Sequence, residues 1–425
     1  MDYSSEPVKQ NIEIGYGMKP QMVAVEEHRL LGILKPNAVA VERTGRAAVD
    51  SALQCPVGSP RLRELVKPGM RIVIITSDIT RPLPSGQLIP AVLEELYAAG
   101  VDAANITIVF ALGSHRRQTE AEMRRLVGDE VYQTVRCMDS DTTDFVRLGS
   151  TRLGTPVDIT RVVAEADFRI GLGNIEFHYF AGYSGGAKAI MPGVSTRAAI
   201  QANHSRMVLP EAAAGRLEDN PVRMDIEDAV RLCPLHFIVN VVLDEHKQIL
   251  HAVAGDFILA HREGCRFLDR LYKIAIPSRA DIVIASQGGA PKDLNLYQTQ
   301  KALDNAKHAV KPGGIIILVG SCQEGLGEKT FEEWMTGSAS PRAMIERIQT
   351  DFQLGGHKAA AIALVLENAD IYLVSEMEAD FVRKIHLQPY RSVQQALDDA
   401  LGKLGPDASV LVMPYAGSTL PCLAE

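Results

Sequence analysis

A short β-branched run, a polar turn and a helical stretch follow one another repeatedly along this chain, and that order leaves few folds open. Residues 71–76 read Arg-Ile-Val-Ile-Ile-Thr, a run of the kind that is buried on both faces of a parallel sheet. The turn Ser77-Asp78-Ile79-Thr80-Arg81-Pro82-Leu83-Pro84-Ser85 ends it, and 88–99 carries helical periodicity. The next strand, 106–112, ends in Gly113-Ser114-His115-Arg116, ahead of a helix over 120–127. Strand, turn and helix in this order predict a doubly wound α/β sheet. Such sheets bind ligands past the carboxyl ends of their strands, which singles out Asp78, Thr80, Arg81 and His115.

The pattern continues with strands over 168–172 and 237–243, after earlier strands at 11–16 and 29–34 and a helix over 47–53. A second alternation starts near Ile276. It comprises a strand at 281–286, a helix over 295–310 with Gln298 and Lys301, Pro312-Gly313-Gly314 leading into 315–319, a helix at 358–368 and a strand at 371–374. The expected architecture is two α/β lobes with mainly parallel sheets and an interlobe active-site cleft. The N-terminal lobe covers 1–275 and the second 276–405. A last segment, 406–425, holds a strand at 409–413 whose lobe the sequence leaves open, a return to the N-terminal lobe being one course.

Composition excludes several classes. With 425 residues, 46% of them hydrophobic, the chain can bury a large core. A net charge of −8 and no long basic run argue against a nucleic-acid surface. The six cysteines are scattered without a CxxC pair, which disfavours a disulfide framework or a thiolate zinc site and fits a reducing, cytoplasmic compartment. No cationic-then-apolar leader opens the chain, and its apolar runs are short for a membrane span.

The stretch Phe177-His178-Tyr179-Phe180-Ala181-Gly182-Tyr183-Ser184-Gly185-Gly186-Ala187-Lys188 is the richest in chemistry. Gly185 and Gly186 allow a sharp turn and close approach of a ligand, and exposed amides before a helix start suit a phosphate. Lys188 lies just beyond. Ser195-Thr196 can cap a helix over 197–207 that carries His204. A turn with a solvated lysine is the plainer account. A lone helical histidine is more often structural, and with no HxxxH or HExxH partner a protein-only metal cage does not follow. His115, in a strand-end loop, reads either as a surface residue or as an acid/base. Arg81 suits a phosphate or carboxylate. Gln298 and Lys301 share a helix face, either solvated or clamping a carboxylate.

Taken together, Ser77-Asp78-Ile79-Thr80-Arg81-Pro82, Gly113-Ser114-His115-Arg116 and His178 to Lys188 with His204 resemble the nickel-dependent lactate racemase family, whose members racemise or epimerise 2-hydroxy acids. Tyr297-Gln298-Thr299-Gln300-Lys301 looks like that family's substrate-binding helix. The resemblance implies a nickel pincer nucleotide, a pyridinium mononucleotide with two sulfur-bearing arms, joined to Lys188 by a thioamide. Its nickel would be held through S, C and S, with His204 completing the coordination. His115 and His178 would be the acid/base pair. Asp78, Thr80, Arg81, Ser184, Gly185 and Gly186 would hold the phosphate and ribose side, and Tyr297, Gln298 and Lys301 the substrate. The resemblance also implies dependence on cofactor-biosynthesis enzymes; the oligomeric state is left open, a homo-oligomer included.

Two positions depart from the family pattern. Ala187 stands where the prototype has arginine, and Gly355-Gly356-His357-Lys358 where it has an aromatic residue near the substrate. His357 and Lys358 could meet extra hydroxyl or carboxylate groups, which favours an aldonate or malate over lactate. Two other readings stay in view: a non-catalytic nucleotide- or nickel-binding protein, and a nicotinamide-dependent 2-hydroxy acid dehydrogenase. The second lacks a GxGxxG at its first strand–helix turn.

Overall fold

A computed structural model describes residues 8–244 and 246–424. The chain forms two compact units. One is Val39–Arg270; the other joins the described residues up to Ala38 to those from Leu271 onward.

In the unit Val39–Arg270, six strands form one sheet in the order Ile249–Gly255, Phe237–Leu243, Phe168–Asn174, Ile72–Ser77, Ile106–Ala111, Arg136–Asp139. All neighbours are parallel except the edge strand Ile249–Gly255, which runs antiparallel to Phe237–Leu243. The β-branched run is buried on both faces, as its composition requires. Ile72 and Ile74 pack with Ile108, Phe110, Ile170 and Val239 on one face, under Leu88, Val92 and Leu96 of the helix Ser85–Ala98. From Ile72–Ser77 the chain steps outward through two strands, then returns to lay Phe168–Asn174 on the opposite side. The strand order therefore reverses between Ile72–Ser77 and Phe168–Asn174, and a crevice at their carboxyl ends is where such a sheet receives a ligand.

The other unit has a six-stranded, all-parallel sheet in the order Gln388–Tyr390, Asp370–Val374, Val310–Val319, Ala280–Ser286, Val410–Met413, Leu30–Ile33. Its order reverses between Ala280–Ser286 and Val410–Met413. This corrects the expected division of the chain. The strand Val410–Met413 is fully buried inside this sheet, and the early strand Leu30–Ile33 pairs with it at the edge. A hairpin of Lys9–Ile14 with Gln21–Glu26 adds Ile12, Ile14, Val23 and Val25 to the core of Ile282, Ile315 and Val412. The second unit thus owns both ends of the described chain.

A second correction concerns the helix expected over 295–310. It spans Leu296–Ala306, and a strand starts at Val310, opposite Ala280. The register then shifts, so that Ile315 faces Ile282, and the Pro-Gly-Gly stretch lies inside the strand as an irregularity, with Pro312 and Gly313 exposed and Gly314 buried. All six cysteines are free thiols. No helix among the described residues is long and apolar enough to cross a membrane.

Candidate active site

Strand ends of the unit Val39–Arg270 bring the first group together. Asp78 follows Ile72–Ser77 and is 2% exposed. Its Oδ1 accepts from the Thr80 amide at 3.0 Å and the Thr80 hydroxyl at 2.6 Å. Its Oδ2 lies 2.6 Å from Nδ1 of His115, which comes from the end of Ile106–Ala111. Burial pushes the Asp78 carboxyl up, but the hydrogen bonds from His115 and Thr80 outweigh it and hold the group below the usual carboxylate range. An ionised Asp78 can only accept, so Nδ1 of His115 carries a proton toward Asp78, and a neutral ring would then have its lone pair on Nε2. Gly113, at φ +56°, turns the loop and donates its amide to Gly193 O. The exposed Arg81 guanidinium makes no hydrogen bond or ion pair among the described residues.

The glycine-rich stretch supplies the second group. Phe177–His178 pairs with Gly182–Tyr183 as a minimal hairpin. His178 Nδ1 accepts from the Ala181 amide at 3.3 Å, so a neutral ring carries its proton on Nε2. Its ring meets Phe180 edge-on at 4.5 Å, and Phe180 meets His204 at 4.8 Å. Burial, then the positive charges of Lys188, His204, Arg81 and Arg223, push the His178 imidazolium well below the ordinary histidine value. Lys188 keeps an accessible edge, but burial, reinforced by Arg223 and Arg81, pushes its ammonium far below the lysine value against Glu176. Among the described residues its amine makes no hydrogen bond or ion pair. His178, Lys188 and His204 thus share one environment. Arg81 ties it to the first group, because its charge acts on Asp78 as well as on His178 and Lys188.

The phosphate role expected of Ser184 to Gly186 is corrected in part. The Ser184 amide donates to Glu176 O at 2.9 Å, its hydroxyl to Asn174 O at 2.7 Å, and the Gly186 amide to Asn240 Oδ1 at 2.7 Å. These donors are spent inside the fold, and the turn leads into a short 3-10 segment rather than an α-helix. The stretch is a scaffold that aims Lys188. Gly185 and Gly186 have φ of +75° and +60°, and a Cβ on Gly185 would sit 2.7 Å from Asn240 Oδ1. Gly185→Ala is therefore expected to cost about 1–3 kcal/mol from backbone strain and crowding. A thermal melt of the cofactor-free variant should show a lower midpoint, and an unchanged midpoint would show that the turn relaxes.

Sequence reasoning missed the residues beneath this turn. Arg223 is fully buried and donates to the carbonyls of Ala181, Tyr183 and Gly185. His261 Nε2 lies 2.8 Å from Ser184 O, and Tyr183 donates to Asp269 at 2.6 Å. One signal existed. Arg223 occupies the helix face of Ile226 and Val230, both buried, and an arginine there needs internal acceptors.

The remaining candidates lie in the other unit. Tyr297, Gln298 and Lys301 occupy the first turns of Leu296–Ala306, capped by Asn295, whose Oδ1 accepts from the Gln298 amide at 3.1 Å. Lys358 donates to Tyr297 O, and its ammonium stands 3.9 Å from the Tyr297 ring centroid. Lys301 is exposed. His357 is 7% exposed, its Nδ1 accepts from the Gly355 amide at 3.0 Å, and burial with the Lys358 charge pushes it down to about 3. Through that bond it closes the loop ahead of its helix.

Comparison with known proteins matches the chain in two segments. Residues 16–215 match the model of the lactate racemase N-terminal domain, and residues 276–420 that of the lactate racemase C-terminal domain. The chain is 34% identical to a lactate racemase of Thermoanaerobacterium thermosaccharolyticum, with 96% of this chain and 99% of that protein aligned. It is 32% identical to a lactate racemase of Lactiplantibacillus plantarum over 95% of this chain and 97% of that one. The structure of the T. thermosaccharolyticum lactate racemase apoprotein superposes with a TM-score of 0.89 at 32% identity, covering 97% of this chain and 100% of that one. A Thermotoga maritima protein shares the fold alone, with a TM-score of 0.63 at 16% identity over 89% of this chain and 97% of that one.

Proposed function

The chain belongs to the lactate racemase family and is an isomerase, a racemase; on that premise we propose that it inverts C2 of a 2-hydroxy acid with the aid of a nickel pincer nucleotide. The observation that carries this is the packing of His178 and His204 against Phe180, with the charge of Lys188 acting on His178, and His115 held by Asp78.

The residues present fit such a group. Among the described residues no cluster of three His, Cys, Asp or Glu could hold a metal by itself, so a metal at His204 needs ligands from elsewhere. Lys188, unpaired and biased toward the neutral amine, is suited to an amide-type bond. His204 would supply one nitrogen to the metal, and Arg81 an unpaired cation for a phosphate. When bound, the group supplies an electron-poor ring able to accept a hydride and return it.

The chain's own part is proton handling. Removing the C2 hydrogen as a proton would leave a carbanion beside a carboxylate, which stabilises it poorly; removal as hydride needs only a base for the hydroxyl proton. In its neutral form His115, with its lone pair on Nε2, is that base; His178, held neutral by its burial, serves as the acid for the return step once it carries a second proton. The two rings exchange these roles for the opposite enantiomer.

Lactate, the substrate named for both relatives, is the first to test. Lys301, exposed on the same helix as Tyr297, favours an acid with a further polar or anionic group, malate or an aldonate. The test is inversion across a panel of such acids labelled with deuterium at C2, in ordinary water, with protein whose intact mass carries the adduct. Inversion with the label retained is expected. Label lost to water would overturn the hydride route, and no inversion of any acid would overturn the function.

A further inference from the structure

His204 sits at the end of the helix Arg197–His204, is 9% exposed, and has its Nδ1 2.9 Å from Oδ1 of Asn203. Which atom of an amide faces a histidine decides which ring nitrogen bears the proton. Here the amide has no choice. Asn203 Nδ2 lies 2.8 Å from Asp225 Oδ2 and 3.2 Å from Val222 O, both acceptors. Turning the amide over would set its oxygen against a carboxylate and a carbonyl.

Asp225 is itself fixed. It is 1% exposed and accepts from the Thr151 and Thr155 hydroxyls at 2.5 and 2.6 Å, from Arg206 Nη1 at 3.3 Å and from Asn203. Arg206 Nη1 also donates to Thr155 Oγ1 at 3.0 Å and to Ala202 O. Every neighbour gives Asp225 a hydrogen bond, so the carboxylate stays an acceptor and Asn203 must offer it the NH2 side. The chain of consequence runs from Asp225 to Asn203 to the imidazole.

We propose that Asp225 and Asn203 are positioning residues that lock His204 in the Nδ1–H tautomer, so that Nε2 is the nitrogen presented as a metal donor. The metal part rests on the reading of His204 given above; the tautomer part does not. Ligating histidines are commonly oriented by an acceptor on their other nitrogen. Here the acceptor is a neutral amide whose direction a buried carboxylate dictates.

The test uses the cofactor-free protein with 15N-labelled histidine. Two-bond proton–nitrogen correlation spectra of the wild type, Asn203→Leu and Asp225→Asn are compared, and His204→Gln assigns the signal. The wild type is expected to show His204 as Nδ1–H. Asn203→Leu, which removes the acceptor, and Asp225→Asn, which lets the amide turn over, should each shift it toward Nε2–H. An Nε2–H wild type overturns the proposal without any variant, as does an Nδ1–H signal that persists in both. In the cofactor-loaded protein, the same variants should lose nickel to a chelator about 10- to 100-fold faster. A tautomer shift with unchanged nickel retention would leave the positioning intact and remove His204 from the metal, so the two readings fail separately.

Discussion

His178→Asn is expected to lower turnover by about 10²- to 10⁴-fold, the usual contribution of a positioned acid or base. Asparagine is chosen because its side-chain oxygen can still accept from the Ala181 amide, as His178 Nδ1 does, while offering no nitrogen that exchanges a proton. The melting point should therefore change little, although the ring contacts with Tyr179 and Phe180 are trimmed. His115→Ala should fall comparably, and both enantiomers should suffer in each variant, because inversion needs a base on one side and an acid on the other. Initial rates from each enantiomer, taken beside a thermal melt, check this. Full activity in either variant would remove that histidine from the mechanism.

Lys188→Met should have an effect as large on function and one of opposite sign on stability. The adduct mass and the inversion activity should both vanish. The cofactor-free variant, in contrast, should melt at a higher temperature than the cofactor-free wild type at neutral pH. The sign follows from linkage. Burial together with Arg223 and Arg81 sets the folded pKa of Lys188 below its unfolded value. Between the two values the unfolded chain binds more protons, so wild-type stability rises with pH across that window. Methionine removes the penalty, so its advantage is full below the folded pKa and fades as pH rises toward the ordinary lysine value, roughly 10.4. Melting curves across neutral to alkaline pH measure this. An unchanged or lower melting point at neutral pH would show that Lys188 is charged and satisfied in the fold.

Local pattern carried far in this chain. The run at 71–76 announced its strand because β-branched residues buried on both faces are recognisable without partners, and the turns after it and after 106–112 placed Asp78 and His115 at strand ends. The stretch from His178 to Lys188 declared itself by its residue types. What stayed hidden was non-local. Nothing near Val410–Met413 says that it pairs with Ala280–Ser286 and Leu30–Ile33, since register between distant strands is a property of the assembled sheet. The Pro-Gly-Gly at 312–314 read as a break, yet the strand runs through it.

The sequence by itself determined the alternation of elements, the strand-end location of the reactive side chains and the glycine turn that bends toward Lys188. Those features rest on periodicity and on backbone freedom, which act over a few residues. Only the tertiary structure decided what each group is chemically. It set Asp78 on His115, turned the amides of Ser184 and Gly186 inward, surrounded Lys188 with Arg223 and Arg81, and aimed Asn203 at His204 from Asp225. Charge state and tautomer depend on burial and on partners dozens of residues away, and those exist only once the chain has closed around them.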